Sequence, residues 1–241
     1  MITASDYMND KSAKAMKIDK SKCRPLGYPR NDILRNANID ISQYFGKYKK
    51  YIIWYPTVKQ FLDGRDYGIK PIEFLDNNKT ITELNEYAKK YDILIIVKPH
   101  FAQIANIKTN SFSNIKFIND KFYKINSLIP YEFLGSCDAL ISDYSSVFYD
   151  FMLCDKPIGL VWKDLQEFSK NIGLFDFYEE TTSGCTKIYS FEDLCEFIKN
   201  VAENVDELGK ERRKVCSIVN LSNDKKSAEL VTDFILNTSR L

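Results

Sequence analysis

Short apolar runs alternate along the chain with longer segments in which apolar residues recur every three or four positions. Uninterrupted runs rich in β-branched and aromatic residues are typical of strands covered on both faces, whereas the three-to-four spacing is typical of helices that pack along one face. The predicted strands cover residues 51–55, 93–97, 115–118, 139–141 and 157–161. The main predicted helices cover residues 5–16, 39–45, 81–91, 130–135, 147–153, 191–201, 205–219 and 225–236.

This alternation of strands and helices predicts the α/β class, with a Rossmann-like, mainly parallel sheet and helices on its faces. Residues 1–48 do not follow the alternation, and we interpret them as a linker or helical edge at a boundary between domains. Residues 49–241 are predicted to form the α/β domain itself.

The composition describes an ordinary globular chain. It has 241 residues, 44% of them hydrophobic and 28% charged, and this length is sufficient to bury a sizeable core. No apolar run approaches the roughly 20 residues that a membrane-spanning helix requires. Residues 1–20 also lack the apolar core of a signal peptide. We therefore expect a cytoplasmic protein.

Positive charge is concentrated at the amino end, although the net charge of the chain is only +1. Residues 1–50 hold eleven Lys and Arg against five Asp and Glu. Dispersed lysines on a solvated surface explain this excess most simply, and we predict no nucleic-acid partner. Peripheral contact with anionic lipid at the inner face of the membrane, or with a polyanionic substrate, is the alternative interpretation.

Residues 138–162 hold a predicted strand, a polar loop, a helix and the next strand in about the length of one βαβ unit. Ligands of open parallel sheets bind outside the carboxyl ends of the strands, so the loop with Asp143, Ser145 and Ser146 is expected to face that crevice. Hydroxyl and N–H groups at the start of a helix favour an anionic ligand. Simple helix capping by the two serines is an equally good explanation from spacing alone.

Two other predicted strands end in polar residues that belong at the same edge. Thr57 follows the strand at 51–55, and His100, the only histidine of the chain, follows the strand at 93–97. An imidazole in such a crevice donates to a phosphate oxygen or, when protonated, neutralises charge on a leaving group. Lys98 lies on the same side-chain face as His100 and adds positive charge there, or is a solvated lysine at the strand end.

Several kinds of chemistry are disfavoured by the motifs. The chain has neither GxGxxG nor GxxxxGK[ST], and its serine pair does not stand in a GxSxG elbow, which argues against a dinucleotide fingerprint, a P-loop and a serine hydrolase. Asp143 and Asp150 flank the serines without a clustered carboxylate triad, and we predict neither a metal nor a cofactor. Asp150 is interpreted as a polar helix position. The six scattered cysteines lack a CxxC pair and are expected to be small core residues.

Four motifs in this order resemble the carboxyl-terminal half of the CDP-glycerol glycerophosphotransferase family, the bacterial enzymes of teichoic-acid and capsule polymers. The motifs are Gly27 to Asp32 (GYPRND), Tyr55-Pro56-Thr57, Lys98-Pro99-His100 and Ser142 to Asp150 (SDYSSVFYD), the last followed by Asp155 to Ile158 (DKPI). None of the four is sufficient alone, but together they are specific and extend over nearly the whole chain. The resemblance implies a GT-B architecture, with this chain as its nucleotide-binding half.

The resemblance also implies roles for individual residues. His100 resembles the family's donor-side catalytic histidine, and Ser145 and Ser146 resemble its diphosphate-binding pair. Thr57 and Lys98 are expected beside the same phosphates, and Asp143 resembles the aspartate that shapes the loop. The implied reaction is attack by a terminal hydroxyl of a polyol-phosphate polymer on the glycerol-bearing phosphorus of CDP-glycerol, which expels CMP without a bound metal.

The chain departs from the family pattern in two places and is shorter than the members of the family. Val58-Lys59 stands where the family has an aromatic residue or histidine and then arginine, and Phe101 replaces a proline after His100. The acceptor-binding half, with a second catalytic histidine, is not expected within a chain that has one histidine. The chain is therefore interpreted as a truncated gene product, a fragment of a longer protein, or one half of a split enzyme whose acceptor half is a partner chain. The alternatives are a GT-B half that uses another nucleotide-activated sugar or polyol, and a non-catalytic module that binds a nucleotide or docks a partner.

Overall fold

Parallel strands form one sheet in the computed structural model, which describes residues 1–57, 71–99, 103, 112–171, 177–221 and 226–238. Within these residues the sheet has six strands in the order β3-β2-β1-β4-β5-β6, and every neighbouring pair is parallel. The strands are β1 (Lys50–Trp54), β2 (Ile93–Val97), β3 (Ile115–Phe117), β4 (Ala139–Ser142), β5 (Ile158–Val161) and β6 (Thr186–Ile188). The predicted α/β class with a parallel sheet is confirmed.

The strand order reverses at the centre of the sheet. From β1 the chain proceeds outward through β2 to β3, and then returns to place β4 on the other side of β1. Trp54 at the end of β1 is in register with Val97 of β2 and with Ile141 of β4, so these strands end at nearly the same level. A crevice at the carboxyl ends of β1 and β4 is the usual ligand position in such sheets.

Helices cover both faces of this sheet. They are α1 (Asp6–Met16), α2 (Pro29–Arg35), α3 (Ser42–Phe45), α4 (Asn78–Lys90), α5 (Asp120–Ile125), α6 (Pro130–Ser136), α7 (Val147–Phe151), α8 (Leu165–Asn171), α9 (Tyr178–Thr181), α10 (Phe191–Glu203), α11 (Gly209–Val219) and α12 (Ser227–Thr238). Among the described residues, none of these helices combines the length and the apolar character needed to span a membrane.

Successive residues of the central strands enter two different cores, one on each face of the sheet. Ile53 of β1 packs with Phe133 of α6 and Phe148 of α7, whereas Ile52 and Trp54 pack on the opposite side with residues of α4 and α10. Side chains alternate across a strand, so a continuous apolar run is required when both faces are covered. This explains why the runs at 51–55 and 93–97 were sufficient to predict their strands.

Several elements were not predicted from the pattern, among them α2, α5 and β6. The edge strand β6 has only three residues, and its central residue is Lys187, so it gave no apolar run. Helix α5 is a short helix whose Asn119 side chain caps the amides of Lys121 and Phe122. The helix predicted at 147–153 ends as an α-helix at Phe151 and continues as a 3-10 turn, Met152–Cys154.

The amino-terminal residues pack on the sheet domain. The Ser5 hydroxyl donates to the carbonyl of Ile218 in α11 over 2.7 Å, and the Ile39 amide donates to the Ser136 hydroxyl over 2.8 Å. Helices α2 and α6 approach so closely that a Cβ at Gly135 would lie 2.4 Å from the Leu34 carbonyl oxygen. The boundary at residue 48 stays a prediction.

Lys187 provides a test of the packing at β6. Its ammonium lies 4.4 Å from the centroid of the Trp162 ring and donates to the carbonyl of Thr182, and no carboxylate forms an ion pair with it in the described part of the chain. Burial lowers the pKa of Lys187 to about 8, whereas an unfolded lysine titrates near 10.5. Between these pH values the unfolded state binds more protons, so the free energy of unfolding gains a term that rises with pH.

We expect Lys187→Met to be more stable than the parent chain at pH 7, by about 1–3 kcal/mol, and to lose this advantage by pH 10. Denaturant unfolding at pH 7, 8.5 and 10 measures the difference. Lys199→Met, at an exposed position of α10, is the control and should show a difference that does not depend on pH. A Lys187→Met difference that is flat across this range would contradict the depressed pKa.

Candidate functional site

The loops that follow β1 and β4 meet at the carboxyl edge of the sheet, as predicted. The backbone amide of Tyr55 donates to the carbonyl of Ile141 over 2.9 Å, and the Ser142 hydroxyl donates to the carbonyl of Tyr55 over 2.8 Å. These bonds continue the β1–β4 pairing beyond the strands. They bring Thr57 and Asp143 into direct contact. His100 lies outside the described residues.

The carboxylate of Asp143 joins these two loops. It accepts from the backbone amide of Thr57 at 2.9 and 3.1 Å, from the Thr57 hydroxyl, and from the amide of Tyr144 at 2.7 Å. The backbone carbonyl of Asp143 in turn accepts from the Tyr178 hydroxyl over 2.9 Å. Asp143 is only 4% exposed, so its charge is satisfied by these internal donors.

The contacts between Thr57 and Asp143 limit the ability of either residue to bind a phosphate directly. Both the amide and the hydroxyl of Thr57 are engaged by the carboxylate, and a buried carboxylate repels a phosphate rather than binding it. The contacts therefore suit a brace that positions the loop of Ser145 and Ser146. The phosphate-binding role of Thr57 stays a prediction, as does the role of Asp143.

Ser145 and Ser146 stand at the start of α7 with little internal bonding. The Ser145 hydroxyl accepts from the Val147 amide at 3.4 Å, which is long for a capping bond. Ser146 is exposed, and its hydroxyl forms no hydrogen bond with any described residue. Capping thus accounts for Ser145 at most, and the exposed Ser146 hydroxyl is left without a partner among the described residues.

Lys98 lies at the end of β2 and is partly neutralised. Its ammonium is 3.2 Å from the carboxylate of Asp120 at the start of α5 and 5.8 Å from the centroid of the Tyr55 ring. The Asp120 side chain is 78% exposed, so the pair is a weak surface contact that an anionic ligand can replace. Burial beside Tyr123, to which the Tyr55 hydroxyl is bonded over 2.9 Å, raises the pKa of Tyr55 well above its usual value.

Asp150 has a larger structural role than the sequence indicated. Its carboxylate accepts from the Arg30 guanidinium at 3.0 Å, from the Asn31 amide group at 3.0 Å and from the Tyr131 hydroxyl at 2.8 Å. It is 3% exposed. Asp150 therefore ties α7, which begins next to Ser146, to the GYPRND segment and to α6. The interpretation of Asp150 as a simple polar helix position is wrong, because its carboxylate is buried and two of its three partners lie about 120 residues away in sequence.

The loop after β5 also reaches this edge, and sequence reasoning missed it. The Tyr144 hydroxyl donates to Asp164 over 2.8 Å, and its ring stacks on Phe168 with centroids 3.8 Å apart. Burial, together with the Asp164 carboxylate, raises the pKa of Tyr144. Lys163 pairs with Glu73 at 3.2 Å. The signal that was overlooked is the sequence Lys163-Asp164 directly after a predicted strand.

Metal ligands do not converge at this edge. No group of three or more His, Cys, Asp or Glu residues with suitable geometry occurs among the residues that the structure describes. The hydrogen-bond donors found here are hydroxyls, amides and lysines, several of them engaged by Asp143, Asp164 and Asp120, and donors of these kinds suit a bound anion.

The Asp150 network leads to a stability prediction. Asp150→Asn leaves one acceptor oxygen where two are used and turns an NH2 group toward the donors of Arg30, Asn31 and Tyr131. Arg30 is 45% exposed, so water solvates its guanidinium once the carboxylate is gone. We therefore expect the free energy of unfolding to fall by about 1–3 kcal/mol, which is less than the cost of breaking a fully buried pair. Urea unfolding monitored by tryptophan fluorescence measures it.

Asp120→Asn is the matched control for this substitution, because it makes the same chemical change in the exposed pair with Lys98. It should unfold at the same urea concentration as the parent chain. Equal effects of the two substitutions would show that Asp150 is not a structural hub.

The parallel sheet with its β1–β4 reversal, and the polar loops at the carboxyl edge of that reversal, define this chain as a Rossmann-like half of the GT-B type. A family model described as CDP-Glycerol:Poly(glycerophosphate) glycerophosphotransferase matches residues 1–237. The chain therefore belongs to this family, and the resemblance drawn from its motifs is confirmed.

Individual proteins agree with this assignment. The chain is similar to the teichoic acid ribitol-phosphate primase of Bacillus spizizenii, with 23% identity over 92% of this chain and 55% of that protein. It is 28% identical to the teichoic acid glycerol-phosphate primase of Bacillus subtilis over 74% of this chain and 43% of that one. A variant of the wall teichoic acid polymerase TagF soaked with CDPG has the same fold, with a TM-score of 0.73 and 21% identity over 98% of this chain and 57% of that one.

The chain thus spans about half the length of the curated relatives that it matches. The fold and the family apply to the residues present here.

Proposed function

We propose that this chain is the CDP-binding half of an enzyme that transfers glycerol phosphate from CDP-glycerol to the hydroxyl end of a teichoic-acid-like or capsular polymer. The observation that carries the proposal is the loop of Ser145 and Ser146, braced through Asp143 on Thr57 at the β1–β4 reversal. The family match over residues 1–237 and the names of the relatives support the donor and the polymer.

The donor diphosphate is proposed to lie against Ser145 and Ser146. The exposed Ser146 hydroxyl and the first amides of α7 are donors suited to phosphate oxygens, and Lys98 adds positive charge once it leaves Asp120. Thr57 and Asp143 hold the loop in position. His100 is proposed as the catalytic residue, because it follows β2 and donates to the phosphate oxygens as charge develops.

The reaction exchanges one P–O bond for another. A terminal hydroxyl oxygen of the polymer attacks the glycerol-bearing phosphorus, the bond from that phosphorus to the oxygen shared with CMP breaks, and CMP leaves with the electron pair. The proton of the attacking hydroxyl goes to a base in the acceptor-binding half. Charge spread over the phosphoryl oxygens is stabilised by the N–H, hydroxyl and cationic groups of this chain.

The acceptor-binding half is proposed to come from a partner chain or from sequence beyond these 241 residues. The proposal is supported by the share of each relative that this chain covers. A cytoplasmic location, peripheral at the inner face of the membrane, fits the basic amino end.

The same site also suits a donor that carries a different nucleotide or a different polyol, and only the residues that contact that nucleotide or polyol would then differ. The first relative above carries ribitol phosphate in its name, so ribitol is the alternative polyol with direct support. The cytidine nucleotide is common to the family description and is the part to test first.

Calorimetry on this chain should detect CDP binding that is stronger than binding of UDP or CMP. Ser146→Ala removes one hydroxyl donor and should weaken CDP binding about tenfold, the value of a hydrogen bond to a charged group. Ser217→Ala, an exposed serine on α11, is the control and should bind CDP as the parent chain does. Equal affinity for CDP and UDP would refute the cytidine assignment, and absence of any binding would refute the nucleotide site.

The catalytic role of His100 is tested in an enzyme completed with an acceptor-binding half. We expect His100→Ala to reduce kcat for glycerol phosphate transfer by 100-fold or more, roughly the contribution of one acid or electrostatic catalyst. The affinity for CDP should change less than tenfold. A variant with normal turnover would show that His100 is not catalytic.

A further inference from the structure

The open edge of the sheet at β6 borders a groove that the proposed donor site does not use. β6 is the outermost described strand on its side of the sheet and pairs with β5. The groove has a volume of about 280 Å³ and lies between β6, α10 and the turn that joins α10 to α11. Its lining includes Lys187 of β6, Glu196 of α10 and Glu207 of the turn, and it includes no described residue of the donor loop.

The backbone of Lys187 points to this open edge. The Trp162 amide donates to the Ile188 carbonyl over 2.9 Å, so the polar backbone groups of Ile188 face β5. Successive residues of a strand direct these groups to opposite sides, which turns the amide and the carbonyl of Lys187 away from β5. No further strand lies beyond β6 within the described part of the chain. Unpaired backbone groups at a sheet edge are a template for a strand from another chain.

The lining of the groove carries carboxylates that are available to a partner. Glu196 and Glu207 are exposed and form no hydrogen bond or ion pair with any described residue. Asp193 and Asp206 also line the groove, although Asp193 caps α10 and Asp206 binds Arg212. Four acidic residues against one lysine give the described lining a net negative charge.

The lysine among these lining residues is turned to the other face of the sheet. The ammonium of Lys187 lies on the Trp162 ring and donates to the carbonyl of Thr182. Its neighbour Ile188 packs with Phe197 of α10. Because side chains alternate across a strand, α10 and the Lys187 side chain lie on opposite faces. The α10 side of the groove therefore offers carboxylates without a competing lysine among the described lining residues.

We propose that this groove docks a lysine-rich, extended segment of a partner protein, which adds to the sheet as a strand beside β6. The backbone of the segment pairs with the amide and the carbonyl of Lys187. Every second side chain of the added strand points to the α10 side of the groove and its carboxylates, Glu196 and Glu207. A segment in which lysines alternate with β-branched residues meets both requirements.

The shortness of β6 determines what selects the partner. Its three residues extend over roughly 10 Å, so an added strand pairs over a short distance. A short edge strand also resists indiscriminate pairing with other chains. Charge complementarity with the acidic groove, rather than the length of the pairing, therefore provides the selectivity.

The probe is the five-residue peptide Lys-Val-Lys-Val-Lys, acetylated and amidated at its ends, and the measurement is calorimetry with the intact chain. It should bind at least about fivefold more tightly than Lys-Lys-Lys-Val-Val, which has the same composition and charge without the alternation. A version of the probe with N-methylated internal residues cannot donate along its backbone and should lose the same advantage. Equal affinities of the three peptides would overturn the proposal, as would the absence of binding.

The double variant Glu196→Gln, Glu207→Gln locates the segment. Both positions are exposed, so the fold is retained, and the loss of two carboxylates should weaken binding of the alternating peptide about three- to tenfold. Glu86→Gln with Glu229→Gln, at exposed positions of α4 and α12, is the matched control with the same net charge and should bind as the parent chain does. Equal weakening by both double variants would show attraction by net charge alone and overturn the proposal.

Other occupants of the groove are distinguished by two further measurements. Spermidine that binds in calorimetry as tightly as the alternating peptide would show a simple cation site. Self-association of the chain in sedimentation that the Glu196→Gln, Glu207→Gln variant abolishes would show a second copy seated on β6. Either result would overturn the proposal.

The test is independent of the proposed function, because the groove lies outside the donor crevice. Titration with CDP should give the same affinity for the Glu196→Gln, Glu207→Gln variant as for the parent chain. A chain that binds the alternating peptide but not CDP retains this groove while losing the proposed function.

Discussion

The hydrogen bonds between the Asp143 carboxylate and Thr57 are the constraint on which the candidate site depends. They connect the ends of β1 and β4 at the place where the strand order reverses, and they do so with a carboxylate that is almost fully buried. A buried charge is tolerated only when donors surround it, so the loop has little freedom to rearrange. Ser145 and Ser146 follow directly after this loop, so the loop determines where they lie.

Asp150 performs a similar task from the other side of the serine pair. It anchors α7 to Arg30, Asn31 and Tyr131, so the GYPRND segment and the serine loop form one structural unit. Two motifs that lie more than 100 residues apart in sequence are therefore in direct contact. Ser146, between the two carboxylates, has an exposed hydroxyl without a partner among the described residues, and this hydroxyl is accessible to a ligand.

The positive groups near this edge differ in how available they are. Lys98 and Lys163 pair with acidic residues that are partly or largely exposed, and a phosphate can compete for such lysines. Arg30 is held by a buried carboxylate but keeps one nitrogen unbonded among the described residues. The two lysines are therefore more available to an anionic ligand than Arg30, whose partner Asp150 is buried.

The sequence by itself determined the family and five of the six described strands, with ends correct to within one residue. The run from Ile93 to Val97 is apolar at every position, which only a strand covered on both faces requires, and its bounds were predicted without error. The edge strand at Lys187 was missed because local pattern carries little information in three residues. Only the tertiary structure decided that Asp150 is a hub, that Thr57 is engaged by Asp143, and that Lys98 pairs with Asp120. Each of these contacts joins residues distant in sequence, and the spacing of residues along a chain does not specify which side chains meet after folding.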